Sequence, residues 1–399
     1  MFDQINAYHP AIHFADIRSS TINTGSLQAT LPDDFFRQLD ERQDQLVEFA
    51  DSAHLAIELH ERLSQLDAIG LLKTENRTLL EARVWEGEAR HADALLQITE
   101  IASAFTMANI DFVFLKSSAL IAGGCVTVPC QRFHVDIDLL VESGSLDNAV
   151  SEMQKIGYES DIILPNSLSE HWVSKHIPPM YHRDRRFRIE LHHKPLDSTL
   201  LDVAPLSTEK IMRQKEPHQI NGEIVWIPTR AHLLLCTFYH SQVFDGYEMC
   251  RINNYRSYLD VALLSLADQT TNRPVEEARN ILEIDPATRK MLTRFDRFIK
   301  KASLAMGINR SRDTDEFAKL LNLGYKDTSI LAYARKTIHF SLQQLNEAIK
   351  QLSHHGRRER ALLLKHNPDV LKYKPVIQQI LHPRILKYRI NYLISRIVS

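Results

Sequence analysis

The chain has 399 residues, of which 44% are hydrophobic and 25% charged, and its net charge is −2 at neutral pH. It is long enough for two or three domains with a large core, and the composition is typical of soluble proteins. No apolar run is long enough for a transmembrane helix, and the N-terminal residues lack the basic and apolar segments of a signal peptide.

Cysteine and histidine usage favours a reducing compartment and gives no zinc motif. The chain contains four cysteines, none in a CxxC arrangement: Cys125, Cys130, Cys236 and Cys250. We predict free thiols and a cytoplasmic location, because disulfides rarely persist in a reducing cytoplasm. We interpret the histidine pairs at 192–193 and 354–355 as solvated rather than metal-bound.

The N-terminal region, residues 1–108, is predicted to be helical from residue 32 onward. Apolar positions recur at spacings of three and four, and a long helical pattern runs from about Leu79 to Ala108. Asn109 follows it, where a left-handed C-cap is needed.

A small α+β domain is predicted over residues 109–228. DFVFL is a short strand at 111–115, a turn and short helix follow, and DIDLLV is a second strand at 136–141. Ser145 is placed to cap a helix that Gly157 ends. Two hairpins come next, with turns near Asp184 and at Asn221-Gly222.

The C-terminal region, residues 229–399, is predicted to be helical with a basic tail. Residues 356–399 contain ten Lys and Arg against two Asp and Glu, a charge of +8, so the other 355 residues carry −10. A tail of this kind either docks on the acidic body or binds an anionic partner. The apolar stripe within residues 383–399 favours docking.

Two aspartates lie two residues apart in the strand DIDLLV. Val135 and every second residue up to Val141 mark a buried face, and Asp136 and Asp138 project together from the other face. Neighbouring like charges on a strand are unfavourable, which a divalent cation held between them would offset. Neutralising either aspartate is expected to leave stability unchanged or to raise it, because the repulsion is relieved.

A third carboxylate lies on the polar face of the strand RFRIELHH. Phe187 and the alternate apolar residues form one face, while Glu190 lies on the other with Arg188 and His192. Two acids on one strand and a third on a nearby strand can hold a pair of metal ions. The alternative for Glu190 is a surface charge in an antiparallel sheet.

These motifs, FLKSSAL, an arginine with DIDLLV, and IELHHK, together resemble the nucleotidyltransferase superfamily of polymerase β type. They are most similar to an uncharacterised bacterial family with LKG-aa-L and DIDLLV motifs, over roughly residues 75–270. The resemblance implies an α+β fold, in which a small core with a mixed sheet is flanked by N-terminal and C-terminal helical regions. The activity it implies is transfer of a nucleoside monophosphate from an NTP to an acceptor hydroxyl, with release of pyrophosphate.

The resemblance also implies a site. Asp136, Asp138 and Glu190 would be catalytic and hold Mg²⁺ or Mn²⁺, and Glu190 would also help to deprotonate the acceptor. The nucleotide phosphates would lie against residues of the turn and a nearby arginine: Lys116, Ser117, Ser118 and Arg132. Ser117 departs from the family pattern, which has glycine in this turn. The acceptor is left open among a small molecule, a protein, RNA and a glycan.

Two other classes of function stay open from the residues alone. A metal-dependent glycosyltransferase also uses DxD, but it would need a long αβ nucleotide-binding region before that motif. A binding module with a decayed site is the non-enzymatic alternative.

Six further side chains are weaker candidates for the site. His134 is interpreted as packed or solvated, and His240 and Asp260 as core or surface residues. The aromatic candidates for base stacking are interpreted as buried core: Trp172, Tyr181 and Trp226.

Overall fold

The computed structural model of the protein describes residues 14, 35–126, 131–160, 164, 167–168, 175–196, 206–244, 253–266 and 273–306. The predictions for the basic tail, for Trp172, for Cys130 and Cys250, and for the histidine pair 354–355 lie outside these residues. Cys125 and Cys236 are both free, as predicted, and both are buried.

Three helices form the N-terminal part of the described chain: α1 (Phe35–Ser52), α2 (Ala56–Gln65) and α3 (Thr74–Met107). The second half of α3 buries residues at alternating spacings of four and three, so that a single apolar stripe faces the rest of the molecule: Ala94, Ile98, Ile101 and Phe105. Asn109 has φ 52°, which confirms the predicted left-handed residue after α3.

A five-stranded sheet lies in the middle of the chain. Its strands are β1 (Phe112–Leu115), β2 (Asp136–Val141), β3 (Glu159–Ser160), β4 (Met180–Tyr181) and β5 (Arg188–His192). The order is β1-β2-β5-β4-β3; β2 and β5 run parallel and the other neighbours antiparallel. The mixed sheet within an α+β fold is therefore confirmed.

Two helices connect the strands of this sheet: α4 (Lys116–Ala122), directly after β1, and α5 (Leu146–Lys155), which follows β2 after a 3₁₀ turn at Ser143–Ser145. The crossover between the parallel strands β2 and β5 contains α5, β3 and β4. Gly157 follows α5 with φ 90°, as predicted for a helix end. Ser145 occupies the N-cap position of α5, but its side chain makes no capping hydrogen bond, contrary to the prediction.

Strand β2 is buried on both sides, and its start differs from the prediction. Ile137 and Leu139 are 1% and 0% exposed, as expected for the apolar face. Val135 is 40% exposed, so its assignment to that face was wrong. The reason is that pairing with β5 begins at Asp136, which leaves Val135 beyond the paired end of the strand.

A separate hairpin follows the short helix α6 (Thr208–Arg213) and is made of β6 (Glu216–Ile220) and β7 (Glu223–Ile227). Its turn residues Asn221 and Gly222 have φ 50° and 89°, as the Asn-Gly signal predicted. Strand β7 contacts both α3 and β1, so the hairpin packs onto the core.

Five helices form the C-terminal part of the described chain: α7 (Arg230–Phe238), α8 (Tyr255–Leu266), α9 (Arg273–Ile284), α10 (Pro286–Arg289) and α11 (Leu292–Ala305). A π-helical segment, Tyr239–Phe244, continues α7. Buried apolar residues of all three predicted regions join one hydrophobic cluster. No described helix combines the length and the apolar character that crossing a membrane requires.

Candidate active site

The pairing of β2 with β5 brings the three predicted acids together. In this parallel register Asp138 lies opposite Glu190, and Asp136 lies opposite Arg188. Side chains opposite each other on adjacent strands project from the same face of the sheet. The polar faces predicted for the two strands therefore form one surface, with three carboxylates on it.

Asp138, Glu190 and His192 form a compact cluster. Their ligand atoms all lie within 4.8 Å of one another. His192 Nε2 lies 2.9 Å from Asp138 Oδ1 and 3.8 Å from Glu190 Oε2. The sequence analysis missed His192 as a member of the site.

The interpretation of His192 and His193 as solvated was wrong. They are 0% and 5% exposed. His192 is the last residue of β5, and the ring of His176 covers it at a centroid distance of 5.0 Å. The strand alternation that placed His192 on the face of Glu190 was the available signal, because every second residue shares a face.

Asp136 lies beside this cluster and has a different partner. Arg188 Nη2 lies 3.2 Å from Asp136 Oδ2 and 3.3 Å from Glu190 Oε1, so that one guanidinium bridges two of the acids. Burial raises the pKa of Asp136, and the charges of Asp138 and Glu190 raise it further. The predicted repulsion between the aspartates therefore contributes to the raised pKa of Asp136.

Lys116 is the main partner of Asp138. Its Nζ lies 2.6 Å from Asp138 Oδ1, within a site where Asp138 is 0% exposed. Burial alone would raise the pKa of Asp138, but the charge of Lys116 and the hydrogen bond with His192 hold it well below its usual value. Burial would likewise raise the pKa of Glu190, but the nearby ring of His192 and the charge of Lys116 lower it to about 2.

The turn after β1 takes an unexpected conformation. Lys116 has φ 48°, the left-handed region that favours glycine, whereas Ser117 is not a positive-φ residue. Non-glycine residues in this region store strain, and they are found most often at functional sites. The departure from the family glycine at Ser117 therefore introduces no backbone strain at that residue.

One oxygen of Asp138 has no hydrogen-bond partner among the described residues. Asp138 Oδ2 is buried, and none of the described residues donates to it. A buried carboxylate oxygen without a donor is costly, and a bound cation would remove that cost. Two carboxylates and an imidazole are also a suitable donor set for a divalent ion such as Mn²⁺. The residues present therefore fit a metal ion.

A cavity of about 720 Å³ opens over Asp136 and Asp138. This volume lies within the usual range for small-molecule sites. Its wall also includes the corner between α1 and α2, the start of α4, α7 and the start of α8. The site thus lies where residues of all three predicted regions meet.

The four predicted nucleotide-binding residues divide into two groups. Lys116, Ser117 and Arg132 line the cavity. Ser118 does not, and its Oγ accepts a hydrogen bond of 3.1 Å from the backbone N–H of Asp138, which ties α4 to β2.

Arg132 forms an ion pair with Asp260 of α8. Its Nη2 lies 3.1 Å from Asp260 Oδ2, and its Nε donates to Asp260 Oδ1, so the pair is bidentate. The two side chains are only 6% and 11% exposed. The charge of Arg132 is therefore already neutralised within the protein.

The other sequence candidates are also placed by the structure. Asp260 and His240 both line the cavity, although core or surface had been the preferred interpretation. His134 is packed, at 2% exposure. Tyr181 is 42% exposed, and Trp226 packs on the core under Lys215; neither lines the cavity.

The glycosyltransferase alternative required an αβ nucleotide-binding region before β2. Within the part of the chain that the structure describes, β1 is the only strand that precedes β2, and helices account for the other regular elements there. The structure gives that alternative no support.

Comparison with known proteins supports the resemblance. A family model described as an uncharacterised nucleotidyltransferase matches residues 40–290, more than half of the chain. The matched range contains both strands of the acidic site and every residue that lines the cavity. A search of curated proteins finds no match.

Proposed function

The chain belongs to the uncharacterised nucleotidyltransferase family, and on that premise we propose that it moves a nucleoside monophosphate from an NTP to an acceptor hydroxyl and releases pyrophosphate. The observation that carries the proposal is that Asp138, a neighbour of Glu190 and His192 under a cavity of suitable size, has an Oδ2 with no hydrogen-bond partner among the described residues.

Mg²⁺ or Mn²⁺ would be held by Asp138 and Glu190, with Asp136 and His192 beside them. When bound, such an ion supplies charge neutralisation on the transferring phosphate and a lower pKa for the acceptor hydroxyl. The fit rests on the donor set and on the free oxygen of Asp138.

The protein's own residues would act mainly by position and charge. Lys116 keeps 26% of its side chain exposed and lines the cavity, so its ammonium can reach a phosphate oxygen. Ser117 lines the same wall. Glu190 is not among the cavity-lining residues, so it has no direct contact with an acceptor in the cavity. We therefore assign Glu190 to holding charge rather than to deprotonating the acceptor.

A labelling experiment tests this function. The protein is incubated with each α-labelled NTP and Mg²⁺ or Mn²⁺, with and without cell lysate, and the label is followed into small molecules, protein, RNA and glycan. We expect one NTP to label one of these classes. Asp138→Asn should abolish the labelling, whereas the control Asp44→Asn, which neutralises an exposed acid of α1, should not.

The binding-module alternative predicts a different result. It requires that no NTP label any acceptor, while the protein still folds. Failure of all four NTPs to transfer label, together with no detectable Mn²⁺ binding by calorimetry, would contradict the proposed function.

A further inference from the structure

The amino end of α8 forms one wall of the cavity. Residues 253–257 all line it, although they follow the acids of β2 by more than a hundred residues in sequence. Asn254 Oδ1 accepts a hydrogen bond of 3.2 Å from the backbone N–H of Ser257. The positive end of the helix dipole is thus directed at the same space that Asp136 and Asp138 face.

The cations on the cavity wall differ in whether they form an ion pair with a carboxylate. Lys116 pairs with Asp138, and Arg132 pairs with Asp260. Arg256 has no carboxylate within salt-bridge distance among the described residues, and its Nη2 donates only to the carbonyl of Phe133, at 3.2 Å. Its Nε is buried without a partner in the described part of the chain.

The balance of charge on the cavity wall makes Arg256 a candidate for binding an incoming anion. Three carboxylates, of Asp136, Asp138 and Asp260, stand against three cations, of Lys116, Arg132 and Arg256. Two of the cations form ion pairs with two of the carboxylates, so part of their charge is already compensated. A polyphosphate that enters next to carboxylates needs positive charge that is still available.

We propose that Arg256 binds the β- and γ-phosphates of the nucleotide, whereas the family resemblance implied phosphate binding by Arg132. The inference rests on the proposed function and names a further substrate-binding residue for it. A guanidinium presents two parallel donors to phosphate oxygens, and the amino end of α8 adds a favourable dipole. Arg256 also lines the same cavity as Asp136 and Asp138, so a nucleotide whose reacting phosphate lies at these acids can extend its other phosphates toward it.

Calorimetry tests this role with tripolyphosphate, which carries no base, and with complete nucleotides. The wild type, Arg256→Gln and Arg256→Lys are titrated with tripolyphosphate, with each NTP and with each NMP, all with Mg²⁺. The Gln variant keeps a donor for the carbonyl of Phe133 but loses the charge. Arg213→Gln is the matched control, because this arginine of α6 is exposed and lies outside the cavity.

We expect Arg256→Gln to weaken tripolyphosphate and NTP binding by about ten- to one-hundredfold, the effect of losing a charged hydrogen bond. NMP binding should change little, Arg256→Lys should recover part of the loss, and Arg213→Gln should match the wild type. If Arg256→Gln, folded by circular dichroism, binds NTP as tightly as the wild type does, this inference alone is overturned. A wild type that binds neither NTP nor tripolyphosphate would overturn the proposed function as well.

Discussion

Replacing Asp136 and Asp138 by asparagine should change stability in opposite directions. A sequence argument from like-charge repulsion treats the two residues alike and expects no loss of stability from either change. The structure separates them, because Asp138 is held by Lys116 and His192, whereas Asp136 experiences the charges of Asp138 and Glu190.

The larger effect is expected for Asp138→Asn in the absence of metal. The Asp138 side chain is 1% exposed and lies 2.6 Å from Lys116 Nζ. Removing one partner of a fully buried pair costs about 3–5 kcal/mol, because the other charge is left uncompensated. Lys116 retains 26% exposure and can turn toward water, so we expect about 2–4 kcal/mol.

Asp136→Asn should be neutral or stabilising. It removes a carboxylate whose pKa is raised by burial and by two neighbouring acids, so loss of the charge relieves an unfavourable interaction. It also loses an ion pair with Arg188, whose side chain is 39% exposed, and such pairs contribute about 0–1 kcal/mol. The net change should lie within about 1 kcal/mol of the wild type.

Equilibrium urea unfolding in EDTA at pH 7.5 measures both changes. We expect a lower free energy of unfolding for Asp138→Asn and an unchanged or higher value for Asp136→Asn. Both variants should lose nucleotidyl transfer, so stability and activity should not correlate across the pair. An Asp138→Asn protein as stable as the wild type would refute the ion-pair argument.

Three further predictions concern other parts of the cavity wall. Asp260→Asn should lower the free energy of unfolding by about 3–5 kcal/mol, because it leaves Arg132 buried and unpaired. In urea titrations, the double variant with Arg132→Gln should recover part of that loss. Ser117→Gly should leave NTP affinity by calorimetry unchanged and cost about 0.5–1 kcal/mol of stability, because Lys116 rather than Ser117 takes the left-handed conformation; a large loss of affinity would instead identify the Ser117 hydroxyl as a ligand. Burial raises the pKa of Cys236 to about 12, so this thiol should resist iodoacetamide at pH 8 until the protein is unfolded, as mapped by mass spectrometry; rapid native labelling would contradict it.

Local periodicity was enough to identify the acids and their faces. The alternation in DIDLLV and in RFRIELHH placed Asp136 and Asp138 on one face and Glu190 on the polar face of its strand, because side chains on a strand alternate regardless of what the strand packs against. The Asn-Gly turn and the left-handed Asn109 were predicted for a similar reason, since both depend on the conformational preferences of one or two residues.

The arrangement of the site depended on contacts between distant segments. The register that sets Asp138 opposite Glu190 joins strands about fifty residues apart, and no local pattern specifies it. Burial of His192 depends on that same pairing, so its surface interpretation failed. The positions of Asp260 and Arg256 depend on where α8 packs, and α8 follows β2 by more than a hundred residues. This packing pairs Arg132 with Asp260 and leaves Arg256 on the cavity wall. Sequence periodicity determines on which face of a strand a side chain lies, whereas only tertiary packing determines which charged groups on that face come into contact.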